Sequence, residues 1–243
     1  MQVVEYQTIL SDLFPSIETL TEKPQYQWLN TIEVRKLIIY GREKSGKTEL
    51  ARKLSEMFIE RYGVENCNIV ICRNADQLMR SGLDQTKLVN VLVWEDATLQ
   101  KIDRETASRF FRIRHLMTRK TGLIVAITVC HRLHSIPIEF RTEPDYILFK
   151  SLPIGYDKSV VKRFVGIKGI RYLQEIIANG DRSKTLVYDC RRDEAQTIEL
   201  PLATRNYLRT LYPRKGLGLV GKTVFIGFLT LLGYMVLRVW RFL

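Results

Sequence analysis

Eight consecutive residues have the types and the spacing of a loop that binds phosphate. They follow the pattern G-x-x-x-x-G-K-T and are Gly41, Arg42, Glu43, Lys44, Ser45, Gly46, Lys47 and Thr48. Glycines let the backbone wrap closely around an anion, and a helix that begins after the loop directs its N–H groups at that anion. We therefore expect Lys47 to contact the β and γ phosphates of ATP and the Thr48 hydroxyl to bind Mg²⁺. Glu49, the next residue, is included in the predicted nucleotide-binding segment.

The segments on both sides of the loop are the ones that this chemistry needs. Residues 36–40 include a short apolar run typical of a strand, and residues 49–62 carry apolar side chains at helical spacing. The order of strand, glycine loop and helix favours a nucleotide site over the alternative, a lysine-bearing turn that binds no nucleotide.

Two carboxylates, Glu95 and Asp96, directly follow a buried-type strand at residues 89–94. Ligands bind at the carboxyl ends of strands in open α/β sheets, so both acids should lie near the loop. By position, Glu95 is predicted to hold Mg²⁺ and Asp96 to act as the general base for the attacking water. The usual order in additional-strand ATPases is aspartate then glutamate. The inverted order leaves this assignment open, and two carboxylates that merely end a strand are the alternative.

The residues after the next strand, at 123–128, are candidates for sensing the γ phosphate. His131 is the first choice and Thr128 the second, although a lone histidine can equally be a loop residue bonded to backbone. Arg114 is placed in the catalytic set as an arginine finger that would reach a neighbouring subunit's nucleotide. A solvated or nucleic-acid-facing surface is the alternative for it and for the other arginines considered, which are Arg109, Arg112, Arg119 and Arg141.

Alternation of strand and helix patterns after residue 36 predicts an α/β fold, a P-loop NTPase with a mostly parallel sheet of the additional-strand type flanked by helices. Further strands are expected at 68–72 and 146–149, helices at 75–80, 104–119 and 160–178, and a final hairpin at 185–190 and 197–200. The predicted domains are an N-terminal helical extension at 1–35, the ATPase domain at 36–212 and a C-terminal hydrophobic helix at 216–238.

The composition adds an anionic partner to this picture. The formal net charge is +12, and residues 214–243 contribute five basic and no acidic residues, so the rest of the chain still carries +7. Such a charge favours nucleic acid or an acidic membrane face as a partner, against the alternative of a solubilising surface.

The four cysteines contain no C-x-x-C pair, which predicts reduced, mostly buried thiols rather than a zinc site.

The end of the chain has the character of a membrane segment. Residues 216–237 are apolar except for Lys222, and as a helix they would span roughly 33 Å, enough for a bilayer. The uninterrupted part, residues 223–237, is shorter, so a buried or amphipathic helix is the alternative. A span would make the protein membrane-associated, with the ATPase domain in the cytoplasm, where ATP is found.

The residues from Arg109 to His115, the strand that runs from Gly122 to Thr128, and the following His131, Arg132 and Pro137 together resemble the FtsK/HerA group of DNA-pumping ATPases. They are most similar to the viral genome-packaging ATPases and to the zonula occludens toxin-like assembly proteins of filamentous phages. The resemblance implies a RecA/FtsK-like sheet, and a ring such as a hexamer that couples ATP hydrolysis to DNA movement or virion extrusion. The glutamine that usually follows the sensor threonine in these proteins is missing here.

The sequence therefore predicts a membrane-tethered ATPase motor acting on DNA. One alternative is a nucleotide-dependent switch or scaffold that hydrolyses ATP slowly, which the inverted acids and the missing glutamine favour. A small-molecule kinase is a second alternative, but no residues for a lid or an acceptor pocket can be named.

Overall fold

Seven strands form a single sheet in this computed structural model, and their ends position the nucleotide loop. The strands are β1 (Glu33–Tyr40), β2 (Cys67–Cys72), β3 (Val89–Trp94), β4 (Leu123–Cys130), β5 (Tyr146–Phe149), β6 (Lys184–Asp189) and β7 (Glu194–Glu199). Each of the strands and the final hairpin predicted from the sequence is present, with ends shifted by a few residues.

The structure describes residues 11–22, 31–97, 102–136, 143–153, 155 and 157–200. The predicted C-terminal helix at 216–238, the candidate Arg141 and most of the N-terminal extension lie outside these residues. Among the described helices, none combines the length and the apolar character that crossing a bilayer requires.

The strand order is β2-β3-β4-β1-β5-β6-β7. The first five strands run parallel, while β6 and β7 pair antiparallel at one edge. β4 lies between β1, which leads into the loop, and β3, which leads into the acid pair. This inserted strand is the feature expected of the additional-strand type, and the mostly parallel α/β sheet predicted from the sequence is confirmed.

The centre of the sheet is covered on both faces. Every residue of β3 and β4 is buried, which explains why both strands are almost continuously apolar rather than alternating. Tyr40 pairs with Cys130, and Trp94 pairs with Thr128, in the parallel registers. Because these pairs stand at similar heights in the sheet, the segments that follow β1, β3 and β4 leave it along the same edge.

The α-helices of the described residues are α1 (Ile17–Thr21), α2 (Lys47–Tyr62), α3 (Ala75–Ser81), α4 (Arg104–Phe111) and α5 (Asp157–Asn179). Short 3-10 turns occupy Ser11–Leu13, Ile113–Leu116 and Leu133–Ser135. The four cysteines are free thiols, as predicted; Cys67 and Cys130 are buried and the other two are partly buried.

The prediction of one helix over residues 104–119 is wrong in its second half. The helix ends at Phe111, and the chain continues as a 3-10 turn. A tertiary contact provides the reason: Gln85 accepts a hydrogen bond from the backbone N–H of Thr118 at 2.8 Å and donates to the carbonyl of Leu116 at 3.2 Å. These backbone groups therefore find partners outside a helix.

The last helix, α5, is longer than the predicted 160–178 and is broken internally. Gly166 has φ 63° and ψ −171°, a backbone conformation that is essentially restricted to glycine. Hydrophobic periodicity predicts an uninterrupted helix across this break. The reason is that apolar residues on both sides of it are buried, namely Val161, Val165, Leu173 and Ile176.

Candidate nucleotide-binding site

The loop between β1 and α2 is tightly folded. Gly46 precedes the first helical residue with φ 89°, and Lys44 also has a left-handed φ of 60°. A Cβ atom at Gly41 would lie 2.5 Å from Oγ of Ser45 and 3.0 Å from Cβ of Lys150, so a side chain there would displace these neighbours. The first N–H groups of α2 have no partner within the helix. The loop therefore has the features of an anion-binding helix start.

Neighbouring strands fix the loop in place. The backbone N–H of Arg42 donates to Oγ of Ser151 at 2.6 Å, and the N–H of Gly41 donates to the carbonyl of Cys130 at 3.3 Å. Lys150, the first residue after β5, donates from Nζ to the carbonyls of Arg182 and Lys184. These bonds join the loop to the ends of β4 and β5 and tie β5 to the start of β6.

Lys47 is a buried cation in this loop, with 6% of its surface exposed. Its Nζ donates to the carbonyl of Arg42 at 2.6 Å and lies 3.3 Å from Nδ1 of His131. Burial lowers the pKa of Lys47, and the nearby Cys130 and Asp96 oppose that effect. A buried ammonium group is costly unless an anion lies beside it, and a bound phosphate would provide that negative charge.

The acid pair leaves β3 at the same edge of the sheet. The backbone N–H of Glu95 donates to the carbonyl of Cys72 at 2.8 Å, and Nε1 of Trp94 donates to the carbonyl of Arg73 at 3.1 Å. Asp96 has a left-handed backbone with φ 55°, which is uncommon for a residue other than glycine. Such backbone strain is often found at functional sites.

The Asp96 carboxylate lies beside a histidine ring and a guanidinium group. Its Oδ1 lies 3.5 Å from Nε2 of His131, and its Oδ2 lies 3.4 Å from Nε of Arg73. About 30% of the Asp96 side chain is exposed, so a water molecule can reach it. The position is therefore compatible with the predicted role as a general base.

The Glu95 carboxylate is in a different environment. Its Oε1 is buried and has no hydrogen-bond partner among the residues that the structure describes. Burial raises the pKa of Glu95, and the cation of Arg52 counteracts this. A buried carboxylate oxygen without a partner fits a bound cation, and Mg²⁺ is commonly held by one or two protein ligands together with substrate phosphates. The described residues contain no cluster of three or more His, Cys, Asp or Glu side chains for a metal.

His131 connects the loop to the acid pair. When Lys47 donates to Nδ1, the hydrogen of the neutral imidazole is on Nε2 and faces Asp96. The predicted γ-phosphate sensor thus contacts both the loop lysine and the predicted base, and it is partly buried between them.

Two other predicted residues are placed elsewhere. Thr128 is buried within β4 and pairs with Ile38 and Trp94, two residues before the strand ends. Arg114 is exposed and lines a cavity of about 550 Å³ together with Lys36, at the amino ends of the parallel strands. The nucleotide loop lies at the carboxyl ends, so Arg114 does not join the site within its own chain.

Three residues at the site were missed in the sequence, namely Arg73, Lys150 and Ser151. Arg73 follows β2, and the other two follow β5. The signal that could have found them is their position, because polar residues directly after parallel strands lie at the ligand-binding edge of the sheet.

The fold and the loop together define the class, a P-loop NTPase with an added strand between the loop strand and the acid strand. No protein-family model matches the sequence, and no curated protein matches it either.

Solved structures with a similar fold include the genome packaging NTPase B204 from Sulfolobus turreted icosahedral virus 2. The complex with AMPPCP has 13% identity and a TM-score of 0.48, covering 69% of this chain and 98% of that chain. The ATP-gammaS complex has 13% identity and a TM-score of 0.47, with the same coverage. B204, the DNA-packaging ATPase from Sulfolobus Turreted Icosahedral Virus, has 12% identity and a TM-score of 0.46, covering 71% of this chain and 100% of that chain.

Proposed function

We propose that the protein is an ATP-hydrolysing motor that moves DNA, in genome packaging, transfer or virion extrusion, from a membrane-tethered ring. The observation that carries the proposal is the series of contacts from Lys47 through His131 to Asp96, at the carboxyl edge of an additional-strand sheet. In the proposal, one triphosphate contacts all three side chains, with Lys47 on its phosphates, His131 as the sensor of the γ phosphate and Asp96 as the base.

In this proposal, the backbone N–H groups of the loop and the Lys47 ammonium bind the phosphates. Thr48 and Glu95 would hold Mg²⁺, which neutralises charge on the phosphates when it is bound. Asp96 orients the attacking water and accepts its proton, and its exposure leaves room for that water. His131 donates from Nδ1 to the γ phosphate once Lys47 has left that nitrogen and a hydrogen occupies it, and the opposite nitrogen, Nε2, remains beside Asp96.

The loop lysine has to change partners when a nucleotide binds. Its Nζ is now directed to the carbonyl of Arg42 and to His131. Contact with the β and γ phosphates would replace at least one of these bonds and release Nδ1 of His131. The sensor would therefore register the triphosphate both directly and through the loss of Lys47.

DNA as the substrate is supported by the net charge of +12 and by the sequence resemblance. The membrane tether is inferred from the apolar residues 216–238, and a ring such as a hexamer is inferred from the resemblance. A ring would also explain the position of Arg114 away from its own nucleotide loop, because an arginine finger acts on the nucleotide of a neighbouring subunit.

Removal of residues 216–243 should release the protein from membranes, whereas a truncated form that still sediments with lipid would contradict the tether.

The experiment that tests the proposal measures ATP hydrolysis by the full chain with and without duplex DNA. We expect stimulation by DNA and loss of both binding and hydrolysis in Lys47→Ala. Lys120→Ala is the control, because Lys120 is an exposed lysine that precedes β4, at the amino ends of the parallel strands and away from the loop. Hydrolysis that DNA does not change would contradict a DNA motor.

A nucleotide-dependent membrane scaffold is the second candidate. The favouring observation is that Asp96 already faces Arg73 and His131, so a base held in this way supports only slow turnover. Tight ATP binding with little hydrolysis and no response to DNA would support the scaffold.

A further inference from the structure

The outward surface of α5 carries a concentration of positive charge. Five of its basic residues are exposed, whereas its acidic residues are the buried Asp157 and one exposed glutamate, Glu175. We call these five residues the α5 basic surface: Lys158, Lys162, Arg163, Lys168 and Arg171.

These cations lack the acidic partners that other helical arginines have. Arg80 is paired with Asp76 at 2.9 Å, and Arg109 is paired with Glu105 at 2.9 Å. None of the five residues of the α5 basic surface forms an ion pair with any part of the chain that the structure describes. Ion pairs within the described residues therefore do not neutralise the positive charge of these five side chains, which favours an anionic partner.

The surface is also open at its middle. Apart from its chain neighbours and the nearby backbone of α5, no described atom lies within 4 Å of the position that a Cβ of Gly166 would take, and the neighbouring Ile167 is 62% exposed. The backbone is thus accessible between Arg163 and Lys168, and a long rigid partner can approach without a steric obstacle from the described residues.

We propose that the α5 basic surface contacts the phosphate backbone of duplex DNA. The inference rests on the proposed function and locates the DNA contact on a helix outside the nucleotide site. Contacts of this kind are independent of base sequence, as translocation along a genome requires.

An anionic membrane is the other partner that such a charge could attract, but the helix is poorly suited to it. Interfacial helices bury a broad apolar face in the lipid. The apolar residues Val161, Val165, Leu173 and Ile176 are instead buried in the core of the domain. Ile167 and Ile177 are the exposed large apolar residues that the described part of α5 offers to a bilayer.

The start of α5 is connected to the sensor loop. The buried Asp157, its first residue, accepts hydrogen bonds from the backbone N–H groups of Leu133 and His134 at 3.1 and 3.0 Å. These residues follow His131 closely. A DNA contact on α5 is therefore next to the segment that directly follows His131.

The test measures binding of the full chain to a 30-base-pair duplex by fluorescence anisotropy over a series of salt concentrations. We expect the triple variant Arg163→Gln, Lys168→Gln, Arg171→Gln to weaken binding at least about tenfold and to reduce the salt slope by roughly two to three. Binding of an ATP analogue should remain unchanged, which shows that the variant is folded. Arg163→Lys with Arg171→Lys should keep the slope.

The matched control removes the same charge from the other basic segment, with Arg109→Gln, Arg112→Gln and Arg119→Gln. A loss of DNA affinity in this control and not in the α5 variant overturns the inference and leaves the proposed function intact. An α5 variant that loses binding to phosphatidylglycerol vesicles and keeps DNA binding assigns the surface to lipid instead. If the unmodified protein binds no DNA, both the inference and the DNA motor are overturned.

Discussion

Nζ of Lys47 lies 3.3 Å from Nδ1 of His131, although the two residues are 84 positions apart in the chain. The contact joins the phosphate-binding loop to the segment after β4. Among the described residues, His131 contacts both the loop lysine, Lys47, and the acid Asp96. A change at the phosphates that moves Lys47 would therefore reach Asp96 through this ring.

Replacement of His131 with alanine should lower ATP hydrolysis about tenfold or more and leave ATP binding within a few-fold of normal. The reason is that the loop remains anchored through Ser151 and Cys130, while the connection between Lys47 and Asp96 is lost. Steady-state hydrolysis and equilibrium binding of a nucleotide analogue measure the two effects. His115→Ala, an exposed histidine outside the site, is the control and should change neither quantity.

The acid pair can be assigned by two isosteric variants. Asp96→Asn should reduce hydrolysis by about 10²–10⁴-fold with ATP still bound, because it removes the proposed base. Glu95→Gln should instead raise the Mg²⁺ concentration needed for half-maximal activity, because the buried oxygen loses its charge. The roles are reversed if Glu95→Gln abolishes hydrolysis at saturating Mg²⁺ and Asp96→Asn leaves it largely intact.

Asp157 is expected to be important for stability. Its carboxylate is 1% exposed and accepts bonds from the N–H groups of Leu133 and His134 and contacts the His134 ring at 3.0 Å. Asp157→Ala should lower the free energy of unfolding by about 2–4 kcal/mol, because buried N–H groups are left unpaired. Urea denaturation measures this. Asp103→Ala, which removes an exposed cap of α4, should lower the free energy of unfolding by only about 1 kcal/mol. If the two variants lose the same stability, the buried hydrogen bonds of Asp157 do not have the expected importance.

The stability of the protein should depend on the ionisation of Lys150. Burial lowers the pKa of this lysine to about 8. Between that value and the ordinary pKa of about 10.4, the unfolded chain binds more protons than the folded one, so the stability contributed by Lys150 rises with pH.

The free energy of unfolding of the unmodified protein, minus that of Lys150→Met, should therefore be constant below about pH 7. Above pH 8 it should rise by roughly 1.4 kcal/mol per pH unit, in favour of the unmodified protein. Urea denaturation between pH 6.5 and 9.5 provides the measurement. Lys120→Met, at an exposed site, is the matched control for the loss of a lysine ammonium group. A pH-independent difference for Lys150→Met would show that the amine keeps its proton in the folded state.

The local elements could largely be predicted, because their signals are local. The apolar runs of β3 and β4 and the glycines around Lys47 identify strand and loop without knowledge of the rest of the chain. The 104–119 helix was wrong because Gln85, a residue from another loop, supplies partners for Leu116 and Thr118. The break at Gly166 was missed because the buried positions on both sides of it keep their periodic spacing.

The sequence by itself determined that a glycine loop stands between a strand and a helix, and that two carboxylates end a later strand. Only the tertiary structure decided that His131 lies between Lys47 and Asp96, that Arg73 faces Asp96, and that Arg114 lies at the opposite end of the sheet. The physical reason is that periodicity and turn chemistry report on neighbours along the chain. Contacts between strand ends depend on the order and direction of strands in the sheet, which no single segment encodes.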